Sequence, residues 1–486
     1  MSEPVILRHA RFYLSYAKQN PEAWAWFDTE WPQISVAWDR LGSLGVDGVL
    51  EIRTEYALVF QRFQSARCLW SDSLAWANEL LPRLRASQNR EMEIEMLNQR
   101  GMAHARLGNI NSALECHEAG IDLARTFGYP SALGRHLHHL GSACGQTGQL
   151  EVAVDRLRQS IEIANTQKEW GALGNRLNSL ALVYQQVGAY QEALDVFDRA
   201  LLVAKELSDE GRQASFLGNI AETYLTLGDL TQAFDSSAQA LALSRKAGLR
   251  QIEANELGRT GSIHFLLGHL ADAVRCQEMA YAIYAETKDR AGEGHSLLQL
   301  GNYQEEMGNA DESIRYLTRA RKIADEIGDR ELLARCLRSI ASVYIGEGDL
   351  EAGLLVSNQA LEISLSSGDR FGEAQDLVYL GNIELRNERI QAAINRYKHA
   401  LTIAEQLGTS ILIATCLNNL GYALYKQGQS KAALDKCQQA LHLAQECGAG
   451  PLAVSIQESL DEIAKNLGNG IRARFWQRWV QSPRLR

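Results

Sequence analysis

The sequence predicts an all-α solenoid of antiparallel helix pairs, and three observations carry that prediction. Leucine recurs at Leu97, Leu137, Leu177, Leu217, Leu257, Leu297, Leu337, Leu377 and Leu417, nine residues at intervals of forty without an insertion or deletion. Proline is confined to Pro4, Pro21, Pro32, Pro82, Pro130, Pro451 and Pro483, so residues 131–450 lack the strongest helix breaker. Glycine punctuates that stretch instead, at Gly108, Gly148, Gly188, Gly228, Gly268, Gly308, Gly348 and Gly428, with Glu388 the one departure. Self-similarity at a fixed period marks a repeat array. The three domains or so that 486 residues suggest at about 150 residues each therefore merge into one array over 97–456.

Each position of the unit has a physical reading when the recurring leucine is counted as position 1. Positions 38, 1, 4/5 and 8 fall at helical spacing and make one apolar face. Position 5 is always Gly or Ala, from Gly101 to Gly421, which lets two helix axes approach closely. Position 12 is the glycine, placed where the first helix must end in a left-handed residue. At Glu388 the neighbouring Asn387 is expected to take that conformation instead. Position 17 (Ala113 to Ala433) and position 24 (Gly120, Ser160, then Ala200 to Ala440) put a small-residue stripe on a second helix that packs back on the first. Gly or a polar residue near position 32 ends it, as in Gly328-Asp329-Arg330 and Gly368-Asp369-Arg370. One such pair cannot bury its apolar faces without neighbours.

The ends differ from the middle. Trp24, Trp26, Trp31, Trp38, Trp70 and Trp76 are six of the nine tryptophans, so residues 1–56 read as an aromatic-rich helical module. Residues 57–96 fill one degenerate unit in phase, with Gln61 and Cys68 at positions 5 and 12. Residues 457–486 start like a first helix (Leu460, Ile463, Ala464) and read as capping helices, with Trp476 and Trp479 covering the last apolar face. The competing reading of this basic aromatic stretch, a membrane or nucleic-acid helix, is the weaker one because an open array end must be covered.

Composition excludes several classes. Lys and Arg number 49 against 59 Asp and Glu, a net charge of −10, so neither nucleic acid nor an anionic membrane is an expected partner. No basic-then-apolar leader and no membrane-length apolar run is seen, and the eight cysteines form no Cys-x-x-Cys pair. A cytoplasmic protein with buried, reduced cysteines is the expectation. His136, His138, His139 and Cys144, with His104 and His117 one repeat earlier, invite a metal, but no carboxylate stands at matching spacing. A polar stripe is preferred, and no metal or cofactor is expected. Neither a nucleophile elbow nor a catalytic triad signature occurs, so an enzyme is not expected.

The pattern Leu177-x-x-Leu180-Ala181-x-x-Tyr184-x-x-x-Gly188, followed by Ala193, Phe197 and Ala200, resembles the tetratricopeptide repeat. Segments such as Leu417-Asn418-Asn419-Leu420-Gly421-Tyr422 are similar to the forty-residue Pins/LGN-like subclass. The resemblance implies a right-handed superhelix whose first helices line a concave groove through positions 39, 2, 3, 6, 9 and 10. A second likeness lies upstream. Arg67-Cys68-Leu69-Trp70-Ser71-Asp72-Ser73-Leu74-Ala75-Trp76 resembles the start of the repeat arrays of bacterial STAND NTPases and related regulators, with Cys68 where Gly is usual. Those proteins carry a P-loop ATPase module before this region. Gly-x-x-x-x-Gly-Lys-Ser/Thr is not found here, so no nucleotide switch of that kind is expected from these residues.

In the Pins/LGN-like family an Asn at position 3 and an Arg at position 39 contact the bound peptide. By that resemblance Asn219, Asn419, Arg135 and Arg335 become candidate groove residues, together with His139 at position 3 and Asn302 and Asn382 at position 6. Arg338, Arg386 and Lys426 add positive charge to the same expected groove, with Glu305 and Glu306 at its edge. Amides can hold a ligand's backbone and Arg selects carboxylates, so the expected partner is a protein or peptide segment of acidic character. The leading expectation is a non-catalytic adaptor or sensor. The alternatives are a sensor region of a STAND-type system acting with a separate ATPase, protease or DNA-binding partner, and a peptide-pheromone or small-ligand receptor.

Overall fold

This computed structural model describes residues 5–466 apart from 22, 45–47, 68 and 448, and every element among them is an α-helix. The expected all-α class is what the chain forms. Contacts divide it into two units, 1–183 and 184–486. The expected C-terminal cap, with Trp476 and Trp479, and Cys68 lie outside the described residues.

The first unit holds α1 (Val5–Gln19), α2 (Trp24–Gly42), α3 (Val49–Ala66), α4 (Trp70–Ala86), α5 (Arg90–Arg106), α6 (Ile110–Phe127), α7 (Pro130–Gln146) and α8 (Leu150–Gln167). α9 (Trp170–Val187) contains the boundary. The aromatic residues of α1–α4 are a core, not a surface. Trp38 and Trp76 stack with centroids 4.3 Å apart at 12°, and Phe27, Tyr56, Phe60 and Phe63 pack around them. That core continues into Met96 and Leu97 of α5, so the helices before the repeats share the first repeat's interior. Arg53, only 1% exposed, lies 3.9 Å above the Trp38 ring and forks onto the Glu79 carboxylate at 2.5 Å.

The second unit holds α10 (Tyr190–Glu206), α11 (Glu210–Leu227), α12 (Leu230–Lys246), α13 (Arg250–Leu266), α14 (Leu270–Thr287), α15 (Arg290–Glu306) and α16 (Ala310–Ile327). It continues with α17 (Arg330–Gly346), α18 (Leu350–Ser367), α19 (Arg370–Arg386), α20 (Ile390–Leu407), α21 (Ser410–Lys426), α22 (Ser430–Glu446) and α23 (Gly450–Asn466). The recurring leucines sit mid-way along the first helix of each pair and are all buried.

Helices end because one residue turns left-handed, and one does so at every twentieth position from Gln88 to Gly428. Thirteen of these eighteen are glycine, which has no Cβ to clash there; Gln88, Lys168, Ser208, Lys288 and Glu388 adopt positive φ without that freedom. The expectation for the glycine-less turn is corrected here. Glu388 itself is left-handed at φ 60, while Asn387 stays at −79. The turn's place is set by helix phase, so the residue at the register position takes the strain.

The Gly-Asp-Arg turns have a second purpose that spacing alone did not reveal. Asp329 and Asp369 cap the next helix, accepting from Leu332 N at 2.9 Å and Gly372 N at 2.8 Å. After Asp369, Arg370 pairs one turn on with nearly buried Glu373 at 2.6 Å, and Arg290 of the related Lys288-Asp289-Arg290 turn does the same with Glu293 at 2.7 Å. Close approach within a pair is equally specific: a Cβ on Gly381 would stand 2.5 Å from the Tyr397 ring.

One contact joins residues far apart in sequence. Gly450, at the start of α23, lies so close to the end of α11 that a Cβ on it would be 3.2 Å from the Leu227 carbonyl oxygen. Cys447 Cβ is 3.7 Å from where a Cβ on Gly188 would stand, and Cys447 and Ala449 are both buried.

Candidate functional site

A polar cleft of about 630 Å³ opens between α19, α21 and α23, three successive first helices. α19 contributes Asn382, Leu385 and Arg386; α21 contributes Asn418, Asn419, Tyr422 and Lys426. α23 adds Ser455, Ser459 and Glu462, and Tyr397 of α20 stands behind. Helical periodicity aligns these side chains, because residues three and four apart share a face. In the repeat register every one except Tyr397 occupies position 39, 2, 3, 6, 9 or 10, the positions expected to line a groove.

Tyr397, with no exposed surface, donates its hydroxyl to Asn382 Oδ1 at 2.6 Å and so orients that amide. Burial pushes the Tyr397 phenol well above its ordinary range, so it remains a donor. Asn418 Oδ1 is buried without a hydrogen-bond partner among the described residues, and the Asn419 amide makes no bond to a described residue. A buried unpaired amide oxygen is costly, and a ligand's N–H would satisfy it. Lys426 Nζ lies 5.0 and 5.6 Å from the Tyr422 and Tyr425 rings, and its hydrogen bond with Tyr422 holds its pKa above the usual value. Tyr422 also donates to Glu462 at 3.2 Å, and exposed Arg386 reaches the Ile345 carbonyl at 3.3 Å. The cleft therefore presents amides inside and two cations against one carboxylate at its rim.

Asn382, Arg386, Asn419 and Lys426 are thus brought together, and the other expected residues are not among the cleft's lining. Arg338 is 7% exposed and donates to Asp376 at 2.9 Å, so its charge is spent inside the array. Arg335 is half-buried and makes no hydrogen bond or ion pair to a described residue; its charge helps hold the His295 pKa down, after burial. Asn302 donates weakly to Gln299 at 3.5 Å, Asn219 is half-buried on α11, and Glu305 accepts from Ser342 at 2.7 Å. In the first unit Arg135 pairs with Glu95, and His139 stacks on His117 with centroids 5.3 Å apart.

The histidines expected to form a polar stripe are a packed cluster. His117 and His136 approach Nδ1 to Nδ1 at 3.2 Å, His136 Nε2 meets the Ile94 carbonyl at 3.1 Å, and His138 Nε2 meets Ser179 Oγ at 2.9 Å. Burial pushes His117 down to about 3 and His136 and His138 to about 4, so the cluster is uncharged near neutrality. Sequence reasoning missed Ser459 and Glu462, although extending the forty-residue register one unit beyond Leu417 places them at positions 3 and 6.

Stacked helix pairs with a polar face of first helices define a helical-repeat protein. The tetratricopeptide repeat profile matches residues 93–166, 175–246, 250–326, 294–366 and 374–446, and the chain belongs to the tetratricopeptide repeat family. Among solved structures it is similar to the apo form of the quorum sensor NprR from B. thuringiensis, at 16% identity and a TM-score of 0.52, covering 72% of this chain and 99% of that one. A Rap protein complexed with competence and sporulation factor is similar at 14% identity and 0.49, covering 73% and 98%. A STAND protein with a tetratricopeptide repeat sensor from Pyrococcus horikoshii is similar at 15% and 0.43, covering 70% of this chain and 55% of that one. At 16% identity the likeness to NprR is one of fold. No curated protein matches the chain. No described helix is long and apolar enough to cross a membrane.

Proposed function

We propose that this protein is a non-catalytic adaptor or sensor of the forty-residue Pins/LGN-like kind that holds a partner's segment along its first helices. The cleft between α19, α21 and α23 is its anchoring point. One observation carries the reading: four candidate residues from two helices converge there, and all but one of the lining residues sit at groove positions of the register. Asn418 and Asn419 would hold the segment's backbone, while Arg386 and Lys426 would select an acidic side chain or terminus. Glu462 limits the charge preference, so a segment bearing both signs fits better than a purely acidic run.

The likeness to NprR, described as a quorum sensor, favours a second reading in which the segment is a small signalling peptide. The segment from Arg67 to Trp76, which resembles the start of the repeat arrays of STAND regulators, supports a sensor acting through a separate partner. Affinity capture with the full chain and with a variant carrying Arg386→Glu, Asn419→Ala and Lys426→Glu tests the site. Partners identified by mass spectrometry should be lost from the variant while its melting temperature is kept. An unchanged set of partners sinks the assignment. Arg338 is left intact, since replacing it would test folding rather than binding.

A further inference from the structure

The corner between α13 and α14 gathers a different chemistry. His264 lies in the last turn of α13, His269 is the N-cap residue of α14, and Asp272 lies in the first turn of α14. One donor atom from each lies within 4.8 Å of the other two. His264 is half-buried edge-on against Phe234, with centroids 5.6 Å apart at 71°, and its Nδ1 is buried without a hydrogen-bond partner. His269 is exposed and its side chain does not cap α14; its ring lies beside that of His264, with centroids 5.9 Å apart at 39°. Asp272 is held by Arg275 at 2.6 Å, an exposed pair that a cation can displace at little cost.

The repeat supplies its own comparison, because every unit builds this corner from positions 8, 13 and 16. Elsewhere the three are His104, Asn109 and Ser112, or Tyr344, Asp349 and Ala352, or Gln304, Asn309 and Glu312. Among the nine units only the fifth puts a metal-ligating side chain at all three. Two imidazoles and a carboxylate suit a borderline divalent ion such as Zn²⁺ and not Ca²⁺ or Mg²⁺, which require oxygen ligands. Tetrahedral coordination needs donors about 3.4 Å apart, which rotation of the exposed His269 ring can reach from the present spacing. Three protein ligands leave a fourth position for water or a partner's side chain.

We infer that the α13–α14 corner is a surface site for a borderline divalent transition metal, held by His264, His269 and Asp272. The test is titration of the chelator-treated full chain with Zn²⁺ alone by calorimetry, and with Co²⁺ followed by its visible absorption. His269→Asn and Asp272→Asn are the variants, the first placing at position 13 the residue that Asn109 and Asn309 occupy in folded repeats. Wild type should bind one more equivalent than either variant, or bind more than about tenfold tighter. Equal titration curves for all three proteins overturn the assignment, as does the absence of Zn²⁺ binding by wild type. Any ion on the buried histidines of the first unit would remain in both variants and is thereby separated.

Discussion

Arg338 Nη1 donates to Asp376 Oδ1 at 2.9 Å, and the two side chains, from neighbouring first helices, are 8% and 0% exposed. Ser364 donates to the other carboxylate oxygen at 2.5 Å. Burial pushes the Asp376 carboxyl up and the guanidinium pulls it back, so each partner depends on the other.

Removing one member of this pair leaves a buried charge without compensation. Arg338→Ala should cost about 3–5 kcal/mol, whereas replacing both by leucine should cost far less. Denaturant unfolding of the single and double variants checks this; a loss under about 1 kcal/mol for the single change would contradict it.

The histidine cluster should make the first unit labile to acid. The folded-state values of His117 and His136, about 3 and 4, lie below the ordinary 6.5. Above pH 6.5 neither the folded nor the unfolded state takes up protons there, and stability is level. As pH falls from 6.5 toward 4 the unfolded chain binds protons that the folded chain refuses, so stability declines. At pH 5 the loss is roughly 2 kcal/mol for each residue. Hydrogen exchange of α5–α8 at pH 7 and 5 should record it, and His117→Gln with His136→Gln should make the dependence shallower, His138 still contributing. Parallel curves for wild type and variant would exclude these residues as its source.

Glu388 holds a left-handed turn that glycine holds at the same position in the other eight repeats. Glu388→Gly should stabilise the array by about 1 kcal/mol through relief of Cβ strain. A denaturation midpoint that stays or falls would show that the glutamate compensates by another contact.

Gly381→Ala should act on the cleft from behind. Its Cβ would stand 2.5 Å from the ring of Tyr397, whose hydroxyl orients Asn382. We expect a loss of about 1–3 kcal/mol and weaker partner binding. Full affinity with normal stability would mean that Tyr397 does not position the cleft.

Much of the fold was legible because helix periodicity and turn stereochemistry are local. Leu97 to Leu417 and the glycines from Gly108 report directly on phase. The groove was legible in part, since Asn382, Arg386, Asn419 and Lys426 share that phase. Arg338 shows the limit: position 2 reads as solvent-facing, and only the partner on the next first helix, Asp376, draws it inside. Arg53 under Glu79 and Arg176 against Ser160 are buried by the same kind of non-local pairing. The corner of His264, His269 and Asp272 escaped notice because it spans two helices at a turn that reads as punctuation.

The meeting of Gly450 with the end of α11 bears on how the chain is made. Synthesis delivers α11 long before α23, so the second unit can stack its pairs one by one yet stays an unfastened arc until Gly450 emerges. The last pairs, ordinarily the first to fray, are clasped to residues near the arc's beginning. A nascent chain halted short of Gly450 should be open to proteases along α21 and α22 and sealed once that clasp forms.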